Sequence, residues 1–285
     1  MKVSRNVLLL LTPSLVLFTL LLVFPIANIL DESFKTFVSG RIGASKDAPY
    51  TLQNYLELLD PAYFFYFVET IRLGLVSSTL ALVVAFPLAY LVARQRSPVA
   101  GRVAVGFLFC MMFMSTMVRV YALQLTFGPT GFSRAICGLF NLNPNGRLYT
   151  EVVVCLGLLH YQIPIASLTL LGTIKNLNPR LMEAAQTLGA ARWKVHATVT
   201  LPLCIPGLLA AFLISFTLCL SAFVVPMVLG KGKVLFISNL IYSRFSEIAN
   251  YPSGSAIAIS MLLLSLVVIY GITAFSSRRY RGFGG

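Results

Sequence analysis

The chain has 285 residues, 58% hydrophobic and 11% charged, with a mean hydropathy of +0.85 and a formal net charge of +13. Soluble domains carry about a quarter charged residues, so an ordinary water-soluble enzyme or binding module is excluded. A basic total can signal nucleic acid, but the placement of the charge along this chain assigns it to membrane orientation instead.

Six apolar runs are long enough, at roughly 20 residues, to cross a bilayer as helix. They lie at about 7–30, 67–93, 103–123, 152–173, 205–229 and 256–275. In lipid each backbone N–H and C=O must be satisfied within its own segment, which predicts an all-α membrane protein of six transmembrane helices. Residues 1–285 then form a single transmembrane domain. The first run follows Lys2 and Arg5 as a signal peptide would. Its length and the sequence "PIANILDES", which has no A-x-A-like site, make it an uncleaved first span.

After the first run, "DESFKTFVSGRIGASKDAPY" is a loop punctuated by Gly40, Gly43 and Pro49. "TLQNYLELLDPAYFFYF" has helical apolar spacing, and is predicted as a short helix on the membrane surface, broken at Asp60-Pro61. "RQRSPVAGR" makes a tight turn to the third run. The glycine- and proline-rich stretch 124–150 is an outside loop, with partial re-entry into the membrane left open. "GKGKVLFISNLIYSRFSEIANYPSG" is another outside loop with a short helical candidate, and "SSRRYRGFGG" is a basic tail.

Lys2, Arg5, Arg94, Arg96, Arg102, Lys175, Arg180, Arg192, Lys194, Arg278, Arg279 and Arg281 fall at the two ends and in two loops, beside one acid, Glu183. Ten basic and eight acidic residues remain for everything else. This asymmetry places both termini in the cytoplasm, as six spans require. The five cysteines, Cys110, Cys137, Cys155, Cys204 and Cys219, show neither disulfide nor metal spacing, and are expected to be small buried apolar residues.

The sequence holds no G-x-x-x-x-G-K-[ST] loop; "LGKGKVLF" has the wrong spacing. H-E-x-x-H and G-x-S-x-G are absent, and only two histidines occur. A membrane enzyme would need clustered histidines or carboxylates. Nor do the spans carry the paired internal acids of a proton-driven carrier, since Glu69 and Glu151 sit at outer ends. The energy for any transport is therefore expected from another subunit.

The segment at about 175–202 faces the cytoplasm. Asn178 is a candidate N-cap with Pro179 at the first helical position. Gly189 ends that helix, "AARWKVHATV" resumes helical character, and Pro202 opens the next span. Two short helices bent at Gly189 are predicted, with small Ala184 and Ala185 allowing close approach and Trp193 as an apolar anchor flanked by Arg192 and Lys194. Such a hairpin either meets another protein or rests on lipid headgroups.

Glu183-Ala184-Ala185, three residues, Gly189, nine residues and Val199-Thr200-Leu201-Pro202 resemble the EAA loop, E-A-A-x3-G-x9-I-x-L-P, of ATP-binding-cassette importer permeases. Only Val199 for Ile departs. The resemblance implies a type I importer permease (MetI-like) fold in a bacterial inner membrane. It also implies that Glu183, Ala184, Ala185, Gly189, Arg192, Trp193, Leu201 and Pro202 form coupling helices docking on a separate ATPase dimer. ATP and Mg would be bound there, leaving no cofactor or metal in this chain. The further implied partners are a second permease, a homologue rather than an identical copy, and a periplasmic or extracellular solute-binding protein. "TIRLGLVSSTLALVVAFPLAYLVAR", "RVYALQL", "LLHYQIPIASLTL" and "FVVPMVLG" resemble the spermidine/putrescine permease branch, which also serves opines and aminophosphonates.

Polar residues inside the spans are the candidates for the solute path: Ser78, Arg119, Tyr121, His160, Gln162, Ser215 and Ser221. Each has a plainer reading. Arg119 either lines the path or snorkels to headgroups, His160 either binds or makes a helix–helix contact, and the serines either line the path or bond backbone. Pro87, Pro164, Pro206 and Pro226 are expected to kink helices. Arg119 suits an anionic or zwitterionic solute better than a polyamine, unless the partner supplies acids. An ion-coupled carrier or channel without an ATPase is the alternative function.

Overall fold

The computed structural model describes residues 5–38, 40, 48–128, 131, 143 and 145–280. Helix α1 (Arg5–Phe18) continues into α2 (Phe24–Ser33) through a π-helical turn at Thr19–Val23. Pro25 has no N–H to donate, and its ring crowds the carbonyl four residues back. The π turn, in which Phe24 N–H reaches Thr19 O, inserts a residue just before that proline and absorbs the misfit.

Helix α3 (Gln53–Leu56) runs into a 3₁₀ turn at Glu57–Leu59. Asp60 is extended, and its carboxylate accepts from Ala62 N–H at 2.8 Å. Asp60 is thus the N-cap of α4 (Pro61–Ala93), with Pro61 as its first residue. The second span therefore begins at Pro61, not at 67 as expected, and the Asp60-Pro61 break is a helix start.

The expected third span, 103–123, is two helices. Helix α5 (Pro98–Phe113), capped by Ser97 on Ala100 N–H, meets α6 (Thr116–Phe127) at a 90° bend. Met114 and Ser115 are extended there. Arg119, 4% exposed, turns its guanidinium back onto the carbonyls of Met111 (2.5 Å) and Met114 (3.0 Å). These belong to the end of α5, where carbonyls lack helical partners, so the arginine holds the break together.

Then follow α7 (Arg147–Lys175), α8 (Pro179–Thr187), α9 (Arg192–Val195) and α10 (Leu201–Leu220). A π turn at His196–Thr200 joins α9 to α10 just ahead of Pro202, by the same device used before Pro25. The fifth span is thus one rod, Arg192–Leu220, rather than 205–229. Residues 221–223 break it, and α11 (Val224–Leu229) is a separate short helix. Helix α12 (Ile237–Tyr242) and a π turn at Ser243–Glu247 precede α13 (Tyr251–Tyr280), which begins before the expected 256. Pro87, Pro164 and Pro206 lie inside unbroken helices. Among the described residues five rods are long and apolar enough to cross a membrane, and six if the bent α5–α6 pair counts as one span.

The chain forms two compact units. The first is Met1–Phe67 with Asn239–Val267. Within it, buried Asn54 donates to Ser33 O and Lys35 O, both at 2.9 Å, and the Arg244 guanidinium lies 5.2 Å over the Tyr63 ring while bonding its hydroxyl. The second is Val68–Ser238 with Val268–Gly285. One of its cores gathers Leu73, Val120, Leu158, Cys219, Leu229 and Phe236. Another is built of Ala85, Ala89, Ala166, Leu170, Ile174, Cys204 and Ala211. Its small side chains let α4, α7 and α10 come close, and a Cβ on Gly207 would lie 2.7 Å from Thr173 Cβ. Cys204 and Cys219 are buried as expected, whereas Cys110 is exposed; Cys137 and most of the loop 124–150 lie outside the described residues.

Candidate functional site

The segment at 175–202 forms the bent hairpin that its caps predict. Asn178 is extended, and its side chain accepts from Arg180 N–H at 3.0 Å, with Pro179 opening α8. The helix ends in a Schellman motif. Gly189 adopts φ +84°, Gly189 N–H donates to Gln186 O at 2.9 Å, and Ala190 N–H reaches back to Ala185 O at 3.1 Å. The three-residue gap between Ala185 and Gly189 is the distance from the carbonyl that accepts the long bond to the left-handed glycine. Nothing lies within 4 Å of a Cβ built on Gly189, so backbone conformation alone demands glycine there.

The hairpin has two faces. Met182 and Val195 are buried, at 7% and 1% exposure. Tyr90, near the end of α4, donates its hydroxyl to Met182 Sδ at 3.4 Å. The same ring stands edge-on to His196, centroids 4.7 Å apart, and His196 Nδ1 lies 3.3 Å from Thr200 Oγ1. Arg94 closes the end of α7, donating to Leu177 O at 3.0 Å and Ile174 O at 3.4 Å. The outer face presents Glu183, Arg192 and Lys194, with Leu188 90% and Trp193 73% exposed. Ala184 and Leu201 are exposed, while Ala185 and Pro202 are half-buried.

The path candidates divide into two groups. Gln162 on α7, fully buried, donates to Ser215 O on α10 at 3.2 Å and to Ser77 Oγ on α4 at 3.4 Å. Ser78 and Ser215 are fully buried too, and neither hydroxyl has a hydrogen-bond partner among the described residues. The second group surrounds a recess of about 260 Å³ between the two helix breaks. Thr116, the first residue of α6, faces Tyr161, Leu218, Ser221 and Phe223 across it. Tyr161 donates to Leu218 O at 2.9 Å, and Ser221 bonds Leu218 O at 3.1 Å. No charged side chain among the described residues lines the recess. Tyr121 is 56% exposed on α6, and no hydrogen bond ties it to either group among the described residues; His160 is half-buried. Arg119 is engaged with the α5 carbonyls.

At the opposite end of α4 and α7 sits an ion cluster. Glu69 is 1% exposed. One of its oxygens accepts from Arg147 at 3.0 Å and the other from Leu235 N–H at 3.1 Å. Arg72 pairs with Glu151 at 2.8 Å, as does Arg147 at 3.1 Å. The adjacent Thr70 hydroxyl accepts from Ile237 N–H at 2.9 Å. Together these bonds hold the segment after α11 against α4. In the turn before it, burial and neighbouring Lys233 both lower the proton affinity of Lys231.

Tyr90, Met182, His196, Leu188, Thr116 and Phe223 escaped the sequence reading. Leu188 carried a signal, as the apolar residue just ahead of the helix-ending glycine. The others act through neighbours distant in sequence.

The family described as binding-protein-dependent transport system inner membrane component matches residues 85–282. The spermidine/putrescine transport system permease protein PotB of Haemophilus influenzae is 29% identical over 226 residues, 78% of each chain. The sulfate transport system permease protein CysT of Escherichia coli is 30% identical, covering 67% of this chain and 68% of its own. A chain from the bacterial alginate ABC transporter, solved in complex with an alginate pentasaccharide-bound periplasmic protein, superposes with a TM-score of 0.76 at 18% identity, covering 96% and 95% of the two chains. A chain of the inward-facing MetNI methionine transporter gives 0.52 at 19% identity, covering 78% and 98%.

Proposed function

From the chain's membership of the binding-protein-dependent inner-membrane component family, we infer that the hairpin at 179–195 is the element through which a separate ATPase drives it. The chain is a multi-pass permease subunit of an ATP-binding-cassette importer, without catalytic activity of its own. Both termini lie in the cytoplasm, with the hairpin, while the Glu69 cluster faces outward. Two ATPase subunits bind ATP and Mg and close, and the hairpins pass that motion into the helix bundles as a rigid-body switch.

One observation carries this reading: a helix pair seated by Met182 and Val195 leaves Leu188 and Trp193 standing exposed. Large apolar side chains just before a span and at its first turn, held up by a buried face, suit the centre of a protein interface. The rigid Schellman closure gives that interface a fixed shape to push on.

Solute passes the recess between the two helix breaks and the Gln162 junction. Discontinuous helices facing a polar recess are a recurring way to expose backbone and hydroxyl groups to a substrate within the membrane. The solute is a polyamine or a related amine, opine or aminophosphonate. The polyamine permease relatives support the first, while the sulfate relative cautions that the fold accepts opposite charges. Tyr161 and Phe223 can meet an ammonium through their rings, but among the described residues the recess offers no carboxylate. The acids must then come from the other half of the pore, so a homologous, non-identical second permease is proposed. A solute-binding protein delivers the solute from outside.

The test is labelled-spermidine uptake into cells carrying the full transporter. Glu183→Arg and Gly189→Pro should each lower uptake more than tenfold with normal membrane insertion. Wild-type uptake in both variants, or uptake that survives an inactive ATPase, would favour an ion-coupled carrier or channel instead.

A further inference from the structure

At the hairpin end of the second unit, an open recess of about 440 Å³ lies where α4 ends, α5 begins and α7 ends. Val92, Pro98 and Val105 form an apolar wall, and Ser97, Arg102 and Lys175 form the polar rim. The charge on that rim is uncompensated. Among the described residues no aspartate or glutamate lines the recess, and α5 contains none. Arg102 uses its Nε on Pro98 O, which leaves the two terminal guanidinium nitrogens available. Lys175 has no hydrogen-bond or ion-pair partner among the described residues. Arg94 is turned away, committed to the carbonyls at the end of α7. From the recess, the exposed residues Val99, Val103 and Phe107 continue along α5 at helical spacing as an apolar strip.

We propose that this recess binds the phosphate headgroup of an anionic phospholipid in the leaflet on the hairpin side. Arg102 and Lys175 hold the phosphate, Ser97 borders the headgroup, and the acyl chains lie along the Val99–Val103–Phe107 strip. Basic recesses between transmembrane helices at the cytoplasmic face suit anionic headgroups. A free phosphate would match the rim but not the apolar strip. An acidic segment of a partner subunit would match the rim but would leave the strip uncovered. The proposal needs the membrane placement of the family and none of the coupling or solute reading, and its test measures no transport.

The full-length chain, purified in a non-ionic detergent, is titrated with phosphatidylglycerol or phosphatidylcholine and retained lipid is counted by native mass spectrometry. Wild type should keep phosphatidylglycerol in preference to phosphatidylcholine. Arg102→Gln/Lys175→Gln should weaken phosphatidylglycerol roughly thirtyfold, at about 1 kcal/mol per basic residue, with phosphatidylcholine unchanged. Charge-keeping Arg102→Lys/Lys175→Arg should restore the preference, and Lys194→Gln, on the same side but outside the recess, should leave it intact. Equal retention by wild type and the Gln pair would overturn the proposal. So would displacement of the lipid by millimolar inorganic phosphate, or loss of the preference when the ATPase subunit is bound.

Discussion

Glu69 shows how one side chain can fix a distant segment. It is sealed from water, yet both carboxylate oxygens are occupied, by Arg147 and by the backbone N–H of Leu235. Removing it strands a buried N–H and takes one carboxylate partner from Arg147. Glu69→Ala should therefore cost about 1–3 kcal/mol, and Glu69→Gln clearly less, because the amide oxygen can still accept from Leu235. Thermal unfolding of the purified chain in detergent reads both; equal melting of Ala, Gln and wild type would show that the cluster does not anchor that segment. The sequence placed Glu69 and Glu151 at the ends of spans but could not pair them, since the partners come from three separate regions. By contrast, Asn178, Pro179, Ala185 and Gly189 act within a dozen residues of chain. Caps and Schellman bonds are local, and local chemistry is what a sequence displays.

Among the elements, the rods were legible and the breaks were not. Apolar runs announce spans because lipid forbids unpaired backbone. The breaks at Met114–Ser115 and at 221–223 contain neither glycine nor proline, so hydropathy runs straight through them. Arg119, folding back from α6 onto the α5 carbonyls, supplies the missing partners at the first break. Prolines misled in the other direction. Pro202 sits inside a continuous rod because a π turn absorbs it, and Pro61 starts a span rather than ending a surface helix. Packing between rods is tight enough to test. A Cβ at Gly207 would meet Thr173 Cβ at 2.7 Å and Cγ2 at 2.8 Å, and a β-branched side chain has little freedom to withdraw. Gly207→Ala should destabilise by about 1–3 kcal/mol, and adding Thr173→Gly should recover part of that loss. Additive losses in this double-mutant cycle would mean that α7 and α10 do not approach there.

At the scale of the whole molecule, the hairpin is joined to α4 through the Tyr90 contacts with Met182 and His196. The Gln162 junction lies further along the same α4, α7 and α10 helices, so a force on the hairpin has a continuous solid route toward the proposed solute path. Tyr90→Ala should loosen that seat. Hydrogen exchange at 179–188 should rise while exchange in the spans stays near wild type, and unchanged exchange would detach Tyr90 from this role. The solute stayed hidden because, among the described residues, the recess carries hydroxyls and rings but no fixed counter-charge.

The central claim is that the exposed face of the hairpin meets the ATPase. A photoreactive residue at position 193, in the place of Trp193, tests it in the intact transporter. The account predicts an adduct with the ATPase subunit from position 193 and none from position 103, on the exposed apolar strip of α5. No adduct from position 193, or equal yields from both, would contradict it.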